Sequence, residues 1–282
     1  MNWTRGTRTQ LVRLYARRIA SQPIAKTLRE LATPSRLRLH GGRLIRGDDR
    51  ALSNWYKPSN SRDDEAKFCA DALSCTAEEV VAAFDELDTD TELLDGLRAH
   101  YQAVRPGLEF DIGHFRMWYA LVRVKRPATV LETGVHDGLS TVLLLHALAR
   151  NGSGRLHSVD LPSTDLPAGP GGPGWLVGEH LRGRWTLHLG DSRVLLPKVA
   201  AQVAPIDLFI HDSDHSRAFQ EFEFRTVRPL LAPGGLLLSD DADADGLMDD
   251  LAEEWHAMAR HVQVTADTWR KVGLIAQADQ RA

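Results

Sequence analysis

Cysteine is scarce: Cys69 and Cys75 are the only two in 282 residues. Six positions apart in a stretch expected to be helical, they form neither a paired-cysteine metal spacing nor a disulfide framework, and buried or neutral thiols are the simpler account. Long apolar runs are also missing. Even Val142 to Leu148 is soon cut off by Arg150, Asn151 and Gly152, short of the roughly 18 residues that a membrane span needs, so none is expected. The opening MNWTRGTRTQ lacks an apolar core followed by a small-residue cleavage site. It does not read as a secretory signal, and a soluble cytoplasmic protein is the expectation. Nor is there a general excess of basic charge: 34 Lys and Arg against 38 Asp and Glu leave a net charge of −4, which argues against a nucleic-acid-coating surface.

The basic charge that exists is collected at the front, where Glu30, Asp48 and Asp49 are the only acids between Arg5 and Arg50. A solvated basic helix is the plain reading, and a docking surface for an acidic partner, anionic lipid or RNA the sharper one. Leu11, Leu14, Tyr15 and Ile19 recur at helical spacing among arginines, Pro23 interrupts, and Ile24, Leu28 and Leu31 resume the pattern. Such amphipathic helices can bury their apolar stripes against a second copy, so a homo-oligomer is an open expectation. Residues 33–62, with Pro34, Gly41, Gly42, Gly47 and Pro58, read as an irregular linker. Thr76 and Glu79 form a capping box for a helix carrying Val80, Phe84 and Leu87; a second helix carries Leu93, Leu94, Leu97 and Tyr101. Residues 1–109 are therefore expected to be a helical extension and 110–282 the main domain.

From Phe115 the pattern changes. Phe115, Trp118 and Val122 mark a helix ending before Pro127, and strands then alternate with helices: 129–133, 155–160, 185–189, 206–211, 235–240, 261–266 and 271–277. This predicts an α/β fold with a mostly parallel sheet covered on both faces. After Asp245, the residues Leu247, Leu251, Trp255, Met258 and Val262 keep helical spacing and read as one core stripe.

The strand ends carry the chemistry. VLETGVHDGLST places Gly134 and Gly138 between a short apolar strand and a helix beginning near Leu139 or Ser140, where glycine lets the backbone approach a ligand. The spacing is Gly-x-x-x-Gly, not the Gly-x-Gly-x-x-Gly of a dinucleotide loop, which disfavours NAD and FAD. Asp160 ends the strand RLHSVD, where a carboxylate can accept both hydroxyls of a ribose. Asp191 follows the strand WTLHL, within reach of an adenine amino edge. Singly, such aspartates also serve as turn formers and helix caps. IDLFIHDSDHS then delivers His211, Asp212, Asp214 and His215 to the same edge, and GGLLLSDD adds Asp240 and Asp241. Clustered carboxylates suit Mg²⁺, Ca²⁺ or Mn²⁺, with direct hydrogen bonding to loops or substrate as the metal-free alternative.

In order and spacing, ETGVHDGLST, SVDLP, LGDS, IDLFIHDSDHS and LLAPGGLLLSDD resemble class I S-adenosylmethionine-dependent methyltransferases, over about residues 110–277. Within that class the chain looks most like the branch of macrocin-type sugar O-methyltransferases, with catechol and caffeoyl-coenzyme A O-methyltransferases more distant. The resemblance implies a Rossmann-like seven-stranded sheet closed by an antiparallel hairpin from HVQVTAD and KVGLIAQ. It also implies S-adenosylmethionine as cofactor, with Glu132 and Gly134 flanking its methionine, Asp160 on the ribose, and Asp191 and Ser192 beside adenine. Gly138, Ser140 and Asp212 complete that cofactor set. Matching positions in the metal-dependent relatives map a divalent cation onto Asp212, Asp240 and Asp241. His215 stands three residues beyond Asp212, the offset at which catechol-type enzymes place a lysine, although the macrocin branch usually has an aromatic residue there. Methyl transfer to a hydroxyl needs a base beside the acceptor, and His215 is the first candidate, Asp214 the second.

Together these readings predict an O-methyltransferase of a small-molecule sugar or phenol in bacterial natural-product or glycan metabolism, with an acceptor pocket built from 50–110 and 161–184. PSTDLPAGPGGPGWLVGEHLRGRW is expected to be a mobile loop with Trp175 as an apolar cover. Two rivals are a non-catalytic S-adenosylmethionine-binding protein docking through its basic front, and a nucleic-acid methyltransferase. Retention of every acidic site position speaks against the first. The second lacks the Asn/Asp-Pro-Pro-aromatic motif of amino-methylating enzymes.

Overall fold

The structure, a computed structural model, describes residues 61–162, 172–242, 246–264 and 271–277. All of these lie in one unit of the chain, Tyr56–Ala282. The expected basic helix pair at 11–31 and all but the last two residues of the expected linker lie outside the described residues, as do 163–171 of the glycine- and proline-rich loop.

Three helices come first among the described residues: α1, Arg62–Leu73; α2, Ala77–Asp88; and α3, Thr91–Val104. Each starts where a short polar side chain takes up an otherwise orphaned backbone N–H. Ser61 and Asp64 form a reciprocal box at α1, Thr76 and Glu79 at α2, and Asp90 accepts from Leu93 N at α3. The α2 box is the one expected from the sequence, and Val80, Phe84 and Leu87 are buried as its periodicity requires. Cys69 is buried in α1, but Cys75 falls in the turn beyond that helix, and both thiols are free.

A 3₁₀ turn, Gly113–Phe115, leads into α4, Arg116–Lys125, which ends on Arg126 in the left-handed region just before Pro127. The alternating part then runs β1 (Thr129–Thr133), α5 (Leu139–Asn151), β2 (Arg155–Asp160), α6 (Glu179–Arg182), β3 (Trp185–Leu189), α7 (Ser192–Val203), β4 (Ile206–His211) and α8 (Arg217–Val227). A second 3₁₀ turn precedes β5 (Leu231–Ser239), followed by α9 (Leu247–Glu254), β6 (Ala259–Gln263) and β7 (Lys271–Ala276). The sheet order is β3-β2-β1-β4-β5-β7-β6; β1 to β5 run parallel, and β7 pairs antiparallel with β5 and β6. This is the Rossmann-like arrangement with a terminal hairpin.

Alternation along the strands divides the core between two faces. In β4, Leu208 and Ile210 pack with Trp118, Leu144 and Phe84 on one side, while Phe209 packs with Leu196, Phe224 and Leu251 on the other. Two boundaries differ from the sequence reading. β5 begins at Leu231 instead of 235, with a register irregularity opposite Ile206 and Leu208 that accommodates Pro233 and Gly234. α9 stops at Glu254, so the stripe read from Leu247 to Val262 breaks: Leu247 and Leu251 are buried in the helix, Met258 is 65% exposed, and Val262 lies on β6. The chain must turn there to enter the antiparallel hairpin, and no helix can carry the stripe through that reversal.

Among the described residues no helix is long and apolar enough to cross a membrane.

Candidate active site

Parallel register places the expected site residues on one edge of the sheet. Thr133 lies opposite Val159 on one side and His211 on the other, His211 opposite Ser239, and Asp160 opposite Leu189. The carboxyl ends of β3, β2, β1, β4 and β5 therefore stand side by side. In that spatial order they present Gly190–Asp191, Asp160, Gly134, Asp212 and Asp240–Asp241.

Gly134 is the hinge of this edge. Its φ is +85°, and a Cβ there would lie 1.9 Å from the carbonyl oxygen of Asp212, so only glycine lets the β1 turn close on the β4 turn. Gly138, also at positive φ, starts α5 and faces inward: a Cβ would meet Gly174 Cα at 2.7 Å. Ser140 is buried in the first turn of α5. Asp160 organises the loop between them. Its Oδ2 accepts from the N–H groups of Val135 and His136 at 3.0 and 2.9 Å, and Oδ1 from Leu161 N at 2.7 Å. Leu161 and Leu189 stay exposed beside it, an apolar border at the β2 and β3 ends.

Several expected contacts take another form. Glu132 does not border the open edge: it is 1% exposed, and its Oε1 accepts from Thr141 Oγ1 at 2.6 Å and Ser158 Oγ at 2.7 Å. Burial raises its carboxyl to about 7, more than those two hydrogen bonds lower it. Asp191 is exposed and caps α7, accepting from Arg193 N at 2.9 Å. Ser192 is 7% exposed and turns inward to Glu223 Oε1 at 2.7 Å, away from the edge. Trp175 is no outer cover: it is 4% exposed, donates to Asp137 Oδ1 at 2.6 Å, and stacks on Tyr101. Burial works to raise the Asp137 carboxyl, but hydrogen bonds from His136, Arg105 and Trp175 outweigh it and hold the group at about 2.

On the other half of the edge, His215 Nε2 lies 3.9 Å from Asp212 Oδ1 and 3.4 Å from Asp241 Oδ2, so the imidazole stands between the β4 and β5 ends. Asp214 is exposed, and its Oδ1 accepts from Ser216 N at 2.9 Å at the start of α8. Asp240 is 2% exposed, with Oδ1 2.5 Å from His114 Nε2. His114 comes from the 3₁₀ turn before α4 and packs edge-on against Trp118.

Of the three carboxyls expected to hold a cation, Asp240 faces His114, while Asp212 and Asp241 face His215. Among the described residues no three His, Cys, Asp or Glu side chains are grouped to hold a metal.

Residues 131–242, from β1 through the end of β5, match a family model described as a methyltransferase domain. Over that segment the chain is similar to a methyltransferase domain. Its fold is similar to that of the O-methyltransferase TomG from Streptomyces achromogenes, solved with S-adenosylmethionine, at 18% identity and TM-score 0.49, covering 66% of this chain and 90% of that one. It is also similar to an O-methyltransferase from Bacillus cereus in complex with SAH, at 15% identity and TM-score 0.46, covering 67% and 92%. A SAH-bound methyltransferase from Podospora anserina gives 13% identity and TM-score 0.49, covering 66% and 88%. No curated protein matches the chain. At such identities the likeness is one of backbone, and substrate chemistry must be read from this chain's own side chains.

Sequence reasoning missed three site-bordering groups: His114, Asp137 and Glu223. Asp137 sits inside the glycine loop that was singled out, and its neighbour Gly138 was the available signal. His114 and Glu223 act through partners far along the chain, and no local spacing announces them.

Proposed function

We propose that this chain moves a methyl group from S-adenosylmethionine to a hydroxyl of a small molecule, a sugar or a phenol. The observation that carries the reading is the shared edge. The glycine turn and Asp160 stand at the β1 and β2 ends, and a histidine set between two aspartates stands one strand away at the β4 and β5 ends.

The first half fits an adenosyl donor. Asp160 accepts two backbone N–H groups on Oδ2 and one on Oδ1, which fixes the carboxyl while leaving a lone pair of Oδ1 for a ribose hydroxyl. Exposed Leu161 and Leu189 flank it with apolar surface suited to an adenine face. Asp191, exposed at the start of α7, borders the same space. Gly134 keeps the backbone low where the methionine portion of the donor would lie, and Ser140 and Gly138 form the floor of the α5 N-terminus beneath it.

The second half fits a hydroxyl acceptor. Methyl transfer is an in-line displacement: the acceptor oxygen bonds to carbon, the carbon–sulfur bond breaks, and the hydroxyl proton must leave. His215 is the base in this reading, supported by its position between Asp212 and Asp241. Asp212 and Asp241 orient its imidazole and stabilise the imidazolium as the proton arrives. Asp214 is the lesser candidate because its carboxyl is occupied in the turn that opens α8. Holding donor and acceptor side by side supplies much of the remaining acceleration, as expected for proximity in a preformed site.

The test is a methyl-transfer assay with radiolabelled S-adenosylmethionine against a panel of monosaccharides, glycosides and catechols. Label should appear on acceptor oxygen, with one S-adenosylhomocysteine formed per methyl. The substitution His215→Ala should lower kcat by roughly 10²–10⁴-fold, the range for loss of a general base, with cofactor affinity nearly unchanged. A fully active variant would remove His215 from this role. Label on nitrogen or carbon acceptors alone would refute hydroxyl transfer.

A further inference from the structure

Behind the strand ends lies a buried carboxyl that the reaction above does not use. Glu223, on α8, is 0% exposed, and both of its oxygens are engaged. Oε2 accepts from Thr133 Oγ1 at 2.5 Å and lies 2.7 Å from His211 Nδ1. Oε1 accepts from Ser192 Oγ at 2.7 Å and Ser213 Oγ at 3.1 Å. Four partners meet on one side chain, and each is the chain neighbour of a residue on the site edge. Thr133 precedes Gly134, Ser192 follows Asp191, His211 precedes Asp212, and Ser213 follows Asp212.

This placement is more than packing requires. Removing a carboxyl from water is costly unless its lone pairs are used, and an apolar side chain would fill the same buried space without that cost. What an apolar residue cannot do is fix the rotation and height of three chain ends at once. The β1 and β4 ends are already joined by the bond from Asp212 N to Thr133 O at 2.9 Å, but α7 shares no such ladder with them. Ser192 on Glu223 supplies that tie. The donor half of the edge and the acceptor half are thereby referred to one buried point.

We propose that Glu223 is the positioning residue of this site, setting the ends of β1, β4 and α7 in mutual register from behind. Its consequence for methyl transfer rests on the reading above, whereas the positioning itself can be measured without it.

The experiment is amide hydrogen exchange by mass spectrometry on the full chain, with S-adenosylhomocysteine affinity measured by calorimetry in parallel. Glu223→Gln keeps the shape but turns one acceptor into a donor that faces other donors. It is expected to speed exchange about tenfold in segments 132–138, 190–195 and 211–216 together, the size expected for losing hydrogen bonds to a charged group, and to weaken S-adenosylhomocysteine binding by a similar factor. Val227→Ala, one turn further along the same helix and buried, is the control: it should lower Tm without singling out those segments. If Glu223→Gln changes nothing in the three segments, or loosens the molecule as evenly as Val227→Ala does, the proposal is overturned. If Glu223→Gln does not fold, Ser192→Ala decides. Faster exchange reaching 211–216 supports the shared point, and an effect confined to 190–195 overturns it. A wild-type chain that binds no S-adenosylhomocysteine would refute the donor reading and leave the exchange result to judge Glu223 alone.

Discussion

Two residues show how local chemistry sets the site's behaviour. Gly134 occupies a backbone conformation that L side chains rarely adopt, with the Asp212 peptide where a Cβ would go. Gly134→Ala should therefore destabilise the fold by about 1–3 kcal/mol, the cost of strain at such a position, and abolish cofactor binding. Urea denaturation and calorimetry check the two halves of that statement, and a variant that binds cofactor normally would contradict it. Glu132 makes a pH-dependent contribution. Burial lifts its carboxyl from the ordinary 4.5 to about 7, so between those values the folded protein holds a proton that the unfolded chain has released. Stability from this group is complete below pH 4.5 and is lost as pH rises through 7, at up to about 1.4 kcal/mol per pH unit. Glu132→Gln, which can still accept from Thr141 and Ser158, should flatten the stability curve in that window. Parallel curves for variant and wild type would contradict the assignment.

At the scale of elements, caps and loop anchors decide how the site is framed. Thr76→Ala removes half of the α2 capping box and should cost about 1 kcal/mol in chemical denaturation, with no effect on cofactor affinity. Trp175→Phe keeps the ring but deletes the hydrogen bond to Asp137. It should loosen the 172–177 segment against the glycine loop, read as faster amide exchange there, with a loss of about 1–2 kcal/mol. Most elements were legible in the sequence because their signals are local. The Thr76–Glu79 box, the block at Pro127, and the apolar runs of β1 to β4 each act within a few residues. The start of β5 is hidden in the sequence because Pro233 and Gly234 look like a loop until strand pairing absorbs them. The end of α9 is hidden because helical spacing cannot reveal where the chain must reverse into β6. Glu132 and Ser192 sit next to the strand ends in sequence, but their side chains turn inward to Ser158 and Glu223, which no local pattern reveals. The His114–Asp240 pair spans 126 residues, a separation that no periodicity encodes.

For the whole molecule, the parallel sheet does the assembling. Five strand ends brought into one row place the Asp160 carboxyl, a close-approach glycine and a histidine between aspartates on neighbouring strands, although in sequence they are spread from Gly134 to Asp241. A row of this kind works by holding two reactants together, so its first requirement is affinity for the donor. The direct measurement is calorimetric titration of the full chain with S-adenosylmethionine and S-adenosylhomocysteine, repeated with Asp160→Asn. The wild type should bind both at about micromolar Kd, the scale of small-ligand sites, and the variant at least tenfold more weakly. No heat from either ligand with the folded wild-type protein, or an Asp160 variant that binds as tightly, would contradict the account.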